Sequence, residues 1–175
     1  MNKQNYLNKI TYIIFFIFIG YLGFVFYKLQ YSTIDYFDKE KTLSTYSVNK
    51  IEKNIKSILN FNNYKNTIIH LKEEKCKCNL YSNKHIEELN EKLNKEDFNI
   101  VNINIKKSEL KKIIPAYPST IIFDKNGDLA YVGAYSDGLM CSSKNSVVEM
   151  VLTNIKAGFN PALINSDTKG CYCYN

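Results

Sequence analysis

The stretch that decides the fold is residues 67–105, TIIHLKEEKCKCNLYSNKHIEELNEKLNKEDFNIVNINI. It opens on Thr67-Ile68-Ile69-His70-Leu71, a β-branched run bounded by polar residues, which reads as a buried strand. A polar turn from Lys72 to Asn79 follows and holds Cys76 and Cys78. Ile86, Leu89 and Leu93 then mark a helix from about Asn83 to Asn94, and FNIVNINI at 98–105 is a second strand. Strands joined through a helix are expected to be parallel, with a right-handed crossover.

Outward from this unit the pattern continues. Val48, Ile51, Ile55, Ile58 and Leu59 form a helical stripe, with Ser47 or Asn49 as its cap and an Asn-rich turn at 60–66 as its end. Ser108 caps a short helix that Pro115 stops. Residues 119–124 read as a third strand, Asn126-Gly127 as a hairpin turn, and 129–135 as the returning strand. A last helix starts near Ser143 on the stripe Val147, Val148, Val151 and Ile155, and Gly158 with Pro161 stops it. The expected fold is α/β, a mixed four-stranded sheet flanked by helices over residues 47–158. An irregular tail over 159–175 ends in Gly170-Cys171-Tyr172-Cys173.

The N-terminal part is of another kind. Residues 10–27, ITYIIFFIFIGYLGFVFY, carry no charge, and eighteen helical residues rise about 27 Å, close to the roughly 30 Å of a bilayer's hydrocarbon core. Small residues suited to signal peptidase do not follow, so the run is expected to remain as an uncleaved anchor. A short N-terminus (1–9) precedes it and a polar tether (28–46) follows. Lysines flank the span on both sides and do not orient it. Five cysteines beyond it suit an oxidising compartment, which puts the domain outside the cytoplasm, on a bacterial inner membrane.

The net charge is +6, and all 23 basic residues are lysine. Without Arg, bidentate reading of phosphate or guanine is excluded, and the lysines form no stripe, so nucleic acid is not expected as a partner. Glu87, Glu88 and Glu91 read as a solvated helix face, and the chain has no Gly-rich phosphate loop. His70 reads as a satisfied core histidine and His85 as solvated.

Strand, cysteine turn, helix, strand, helix, X-Pro-Ser-Thr, hairpin and helix together resemble the thioredoxin fold from about Thr67 to Lys156. More narrowly, Cys76-Lys77-Cys78, Pro118 to Thr120, Tyr135 to Cys141 and Gly170 to Cys173 are similar to the marks of an uncharacterised family of membrane-anchored bacterial thioredoxin-like proteins. The resemblance implies redox cysteines at Cys76 and Cys78, with a cis-proline at Pro118 facing them. The chain departs from the usual Trp-Cys-x-x-Cys, having no Trp and one residue between its cysteines.

What the resemblance implies is a thiol–disulfide oxidoreductase without cofactor. Cys76 attacks, Cys78 resolves, and Tyr117-Pro118 shapes the groove for a substrate backbone. Its partners would be a protein thiol or disulfide substrate and a membrane or thioredoxin-type electron partner. Lys75, Lys77 and a helix start favour a thiolate at Cys76. The alternative is that Cys76 and Cys78 are structural, each bonded elsewhere. A copper-binding or copper-delivery protein using Cys76, Cys78, Cys141 and His70 is a further reading, since thiolates suit Cu(I); a redox-inactive binding module is another. Strand direction places Cys141 on the same edge as Cys76 and Cys78, and the tail is long enough to reach it. A bond from Cys141 to Cys171 or Cys173 is expected, as a structural disulfide or a second relay pair, leaving Cys76 and Cys78 as a separate pair.

Overall fold

The structure, a computed structural model, describes residues 3–31, 34–139 and 141–174. Met1 and Asn2 of the expected N-terminus, residues 32 and 33 of the tether, Met140 and Asn175 lie outside the described residues. The chain divides into two units, Met1–Thr33 and Ile34–Asn175.

The first unit holds helix α1 (Lys3–Tyr31). Its apolar part, Asn8–Leu29, has a mean hydropathy of 2.2, and its 22 residues rise about 33 Å. Phe15, Phe16, Ile17 and Phe18 are all exposed. Four consecutive apolar positions point in four directions, so the helix has no polar face to give to water. It is long and apolar enough to cross a membrane.

In the second unit, β1 (Ile34–Tyr36) leads to α2 (Val48–Leu59), β2 (Thr67–Lys72), α3 (Asn79–Leu93) and β3 (Asn99–Asn104). Then come β4 (Ala116–Tyr117), β5 (Ser119–Phe123), β6 (Leu129–Ala134), α4 (Val147–Lys156), β7 (Leu163–Asn165), β8 (Lys169–Cys171) and β9 (Cys173–Tyr174). The main sheet runs β3-β2-β5-β6-β7. The β2–β3 pair is parallel, as a helical crossover requires, and β5–β6 is the antiparallel hairpin. The sheet has five strands rather than four because β7, from the supposedly irregular tail, adds in parallel to β6.

The alternation of side chains across this sheet makes two cores. Ile69, Leu71, Ile121, Phe123 and Val132 pack with Ile51 and Ile55 of α2. Ile68, Ile122 and Tyr131 pack on the other face with Ile86 and Leu89 of α3 and Val148 and Val151 of α4. The caps are local. Ser108 Oγ accepts from Leu110 N–H at 3.2 Å, and Ser146 Oγ accepts from Glu149 N–H at 3.1 Å to start α4. Ser47 stands at the N-cap of α2, but its hydroxyl makes no capping bond. The short helix expected from Ser108 to Ile114 is a single 3-10 turn, Glu109–Lys112.

Two further expectations are corrected. Residues 34–46 are built into the domain rather than a loose tether: Phe37 and Leu43 are fully buried. The buried Asp38 carboxylate accepts from the N–H groups of Thr42 (2.7 Å) and Leu43 (2.7 Å). His85 is 2 % exposed rather than solvated. The start of α4 packs over it, and His85 Nε2 lies 3.0 Å from Ser146 Oγ.

Candidate functional site

Helix α3 begins one turn earlier than its apolar stripe suggests, directly after the cysteine turn, with Cys78 at its N-cap in a right-handed helical conformation. Cys76 N–H donates to the Glu73 carbonyl at 3.0 Å, and Asn79 N–H to the Cys76 carbonyl at 3.2 Å. The turn is therefore already wound through Cys76-Lys77-Cys78. In helical geometry, residues two apart have Cα atoms about 5.4 Å apart, inside the window of roughly 4.4–6.8 Å that a disulfide needs. Lys75 and Lys77 are exposed beside the turn. Tyr117 and Pro118, joined by a cis peptide bond, lie opposite. Cys76 Sγ is 3.8 Å from the Tyr117 carbonyl oxygen.

The tail comes to this edge and bonds there, in a pattern different from the expected one. Cys76 is bonded to Cys173 and Cys78 to Cys171, with Cα separations of 5.9 and 5.3 Å. Cys141 keeps a free thiol. The expected Cys141–tail bond and the separate Cys76–Cys78 pair are thus both replaced by two rungs between the turn and the tail. The reason is geometric. Each segment spaces its two cysteines by one residue, so two segments laid antiparallel meet twice.

Short ladders seat the tail. Tyr117 pairs with Cys173 and Ala116 with Tyr174 across β4–β9. Ile34 pairs with Cys171 and Asp35 with Gly170 across β1–β8. Tyr117 Oη donates to the Tyr174 carbonyl at 3.2 Å, and the Tyr172 ring meets Phe37 edge-on at 5.3 Å. Gly170 is required by close approach: a Cβ there would stand 2.7 Å from Tyr172 Oη and 3.0 Å from the Gly138 carbonyl oxygen. Cys76, Cys78 and Cys171 are 4–6 % exposed, while Cys173 is half-buried.

The sulfurs of Cys76, Cys78 and Cys173 all lie within 4.8 Å of one another. The copper set expected from Cys76, Cys78, Cys141 and His70 is not assembled among the described residues. Instead, both ring nitrogens of His70 are engaged, Nδ1 at 2.5 Å from Tyr135 Oη and Nε2 at 2.8 Å from Asn90 Oδ1. Burial lowers the His70 pKa to about 4, so the ring is neutral. Cys141 lines a small cavity together with Cys78, Cys171, Pro118 and Tyr135. It therefore reaches the edge that strand direction implies, but burial pushes its thiol up to about 11, which leaves little thiolate at neutral pH.

DUF6436, a domain of unknown function, matches residues 45–175. No curated protein and no solved structure matches the chain.

Proposed function

We propose that this chain, which belongs to the DUF6436 family, is a membrane-anchored thiol–disulfide oxidoreductase with a thioredoxin-like domain working outside the cytoplasm. The observation that carries this reading is the cluster of three sulfurs from two different disulfides, Cys76, Cys78 and Cys173, within 4.8 Å of one another. Disulfide exchange needs an attacking sulfur beside a disulfide sulfur, and this packing supplies one as soon as a bond opens. The order of strands and helices around the turn supports the thioredoxin-like assignment, and the apolar α1 supports the anchor.

The doubly bonded chain is the oxidised form. In the reduced form Cys76, beside Lys75, Lys77 and the start of α3, ionises and attacks a substrate disulfide. One substrate sulfur leaves as a thiolate and takes a proton, and the other stays in a mixed disulfide with Cys76. Cys78 then attacks Cys76 Sγ, expels the second substrate thiol and closes Cys76–Cys78. Two electrons pass from the turn to the substrate.

Fully reduced protein in detergent is expected to reduce a protein disulfide such as that of insulin, with Cys76→Ser inactive. Alkylation of Cys76 should stay fast below pH 7. A rate equal to the uncatalysed one would refute the proposal.

A second reading has its own support, because Cys76 and Cys78 are each bonded to the tail and three of the four sulfur-bearing residues are buried. In it the bonds are staples of a redox-inactive binding module. Survival of both disulfides in the folded protein under excess dithiol would establish it.

A further inference from the structure

We infer that the tail cysteines are a second, built-in dithiol of the exchange reaction, so that one chain delivers four electrons and ends in the doubly bonded form seen here. The inference rests on the oxidoreductase reading and assigns Cys171 and Cys173 a part in it. Three observations carry it. The two Cys-X-Cys segments have the same spacing and lie antiparallel, so every turn cysteine has a tail partner. Cys173 Sγ is in reach of both Cys76 and Cys78. The tail seats itself by backbone pairing with Ala116 and Tyr117, the strand edge beside Cys76.

The steps balance as follows. Reduced turn and reduced tail hold four thiols. The first substrate disulfide takes two electrons from Cys76 and Cys78, leaving Cys76–Cys78. The Cys173 thiolate attacks Cys76 Sγ, a Cys76–Cys173 bond forms, and Cys78 leaves as a thiolate. No electrons leave the chain in this step, which moves the disulfide from the turn to the rung between turn and tail. The remaining thiols, Cys78 and Cys171, reduce a second substrate disulfide and close Cys78–Cys171. Two substrate disulfides become four thiols, and the chain gains two disulfides.

The direction of the internal step follows from packing. A Cys76–Cys78 bond leaves β8 and β9 held by non-covalent contacts alone, built around ladders of three and two residues, and such short pairs are marginal by themselves. The bonded tail keeps both ladders, the Tyr117–Tyr174 hydrogen bond and the Phe37–Tyr172 contact. As β9 docks on Tyr117 it takes the backbone edge next to Cys76, so tail closure also clears the site of any extended product lying there.

The test uses the full-length chain in detergent, completely reduced with a phosphine and then freed of it. It is mixed with one equivalent of oxidised glutathione, which supplies one disulfide per chain, quenched in acid, alkylated and mapped by mass. The two-electron form is expected to carry Cys76–Cys173 or Cys78–Cys171, with the other two of these four cysteines alkylated. Excess substrate should be consumed at two disulfides per chain. The Cys171→Ser/Cys173→Ser variant should consume one and stop at Cys76–Cys78. A two-electron form of the parent chain holding Cys76–Cys78 with both tail thiols alkylated, or a parent capacity of one disulfide, would overturn the tail's role while leaving the oxidoreductase reading in place. No consumption by either protein would remove both.

Discussion

The two rungs should be redundant as stabilisers, and the redundancy has a size. Each disulfide joins residues far apart in sequence, 97 for Cys76–Cys173 and 93 for Cys78–Cys171. In the chain-entropy relation, closing a loop of that length stabilises by about 4.7 kcal/mol. The second bond meets a chain already closed. It adds a ring made only of Cys76-Lys77-Cys78 and Cys171-Tyr172-Cys173, and the same relation gives about 2 kcal/mol for so small a ring. Removing either rung should therefore cost about 2 kcal/mol, and removing both about 7 kcal/mol.

Bonds must be removed as pairs, because a lone leftover thiol would attack the surviving disulfide. The variants are Cys76→Ala/Cys173→Ala, Cys78→Ala/Cys171→Ala, and the fourfold combination. Unfolding of about 140 residues carries an entropy near 0.3 kcal/mol/K, so each pair should lower Tm by about 7 °C and the fourfold variant by about 20 °C. Thermal and urea melts of the full chain in detergent are followed by near-UV circular dichroism, to which the buried Tyr117, Tyr131 and Tyr135 of the domain contribute. A fourfold loss equal to the sum of the two pair losses would refute the shared-loop reasoning, since independent staples add.

Three further outcomes are expected. Burial holds the His70 pKa near 4, below its ordinary 6.5, so the unfolded chain takes up a proton that the folded one refuses. Stability should therefore be full above about pH 6.5 and fall by about 3 kcal/mol towards pH 4, with a flatter profile in His70→Gln; equal slopes would count against the buried neutral ring. Gly170→Ala should cost about 1–3 kcal/mol through overpacking against Tyr172 and the Gly138 carbonyl, and parent-like urea melting would mean the tail is not seated as described. Phe16→Lys with Ile19→Lys, at about 2.5–3.5 kcal/mol each at a span centre, should move the protein from the membrane to the soluble fraction. A parent protein that is already soluble and begins near residue 30 would show that α1 is not an anchor.

The parts of the fold legible in sequence are those set by local pattern. Thr67–Leu71, the Ile86–Leu89–Leu93 stripe and Asn126-Gly127 each specify their element from within a few residues, so the parallel β2–β3 pair and the β5–β6 hairpin follow. What sequence concealed depends on distant partners. The tail looks irregular because β7, β8 and β9 are three, three and two residues long and exist only by pairing with β6, β1 and β4. His85 looks solvated on its own helix because the cover over it comes from Ser146, sixty-one residues on.

The cysteine pairing shows the same division more sharply. Strand direction correctly brings Cys141 to the edge where Cys78 lies, yet a shared edge does not decide which sulfurs bond when five cysteines compete for it. The deciding feature was the spacing. Cys76-x-Cys78 and Cys171-x-Cys173 have equal intervals, so one antiparallel approach closes two bonds between turn and tail at once, whereas a bond from Cys141 to either tail cysteine would leave the other tail cysteine without a partner and Cys76 and Cys78 to pair with each other. Equal spacing also gives the chemistry its form. A turn dithiol facing a single tail thiol would hold three thiols and could close one internal disulfide in all. Facing a second dithiol of matching interval, each turn sulfur has its own partner, and under the proposed reaction the chain would give up four electrons while the odd thiol, Cys141, stays half-buried and protonated beside the pair.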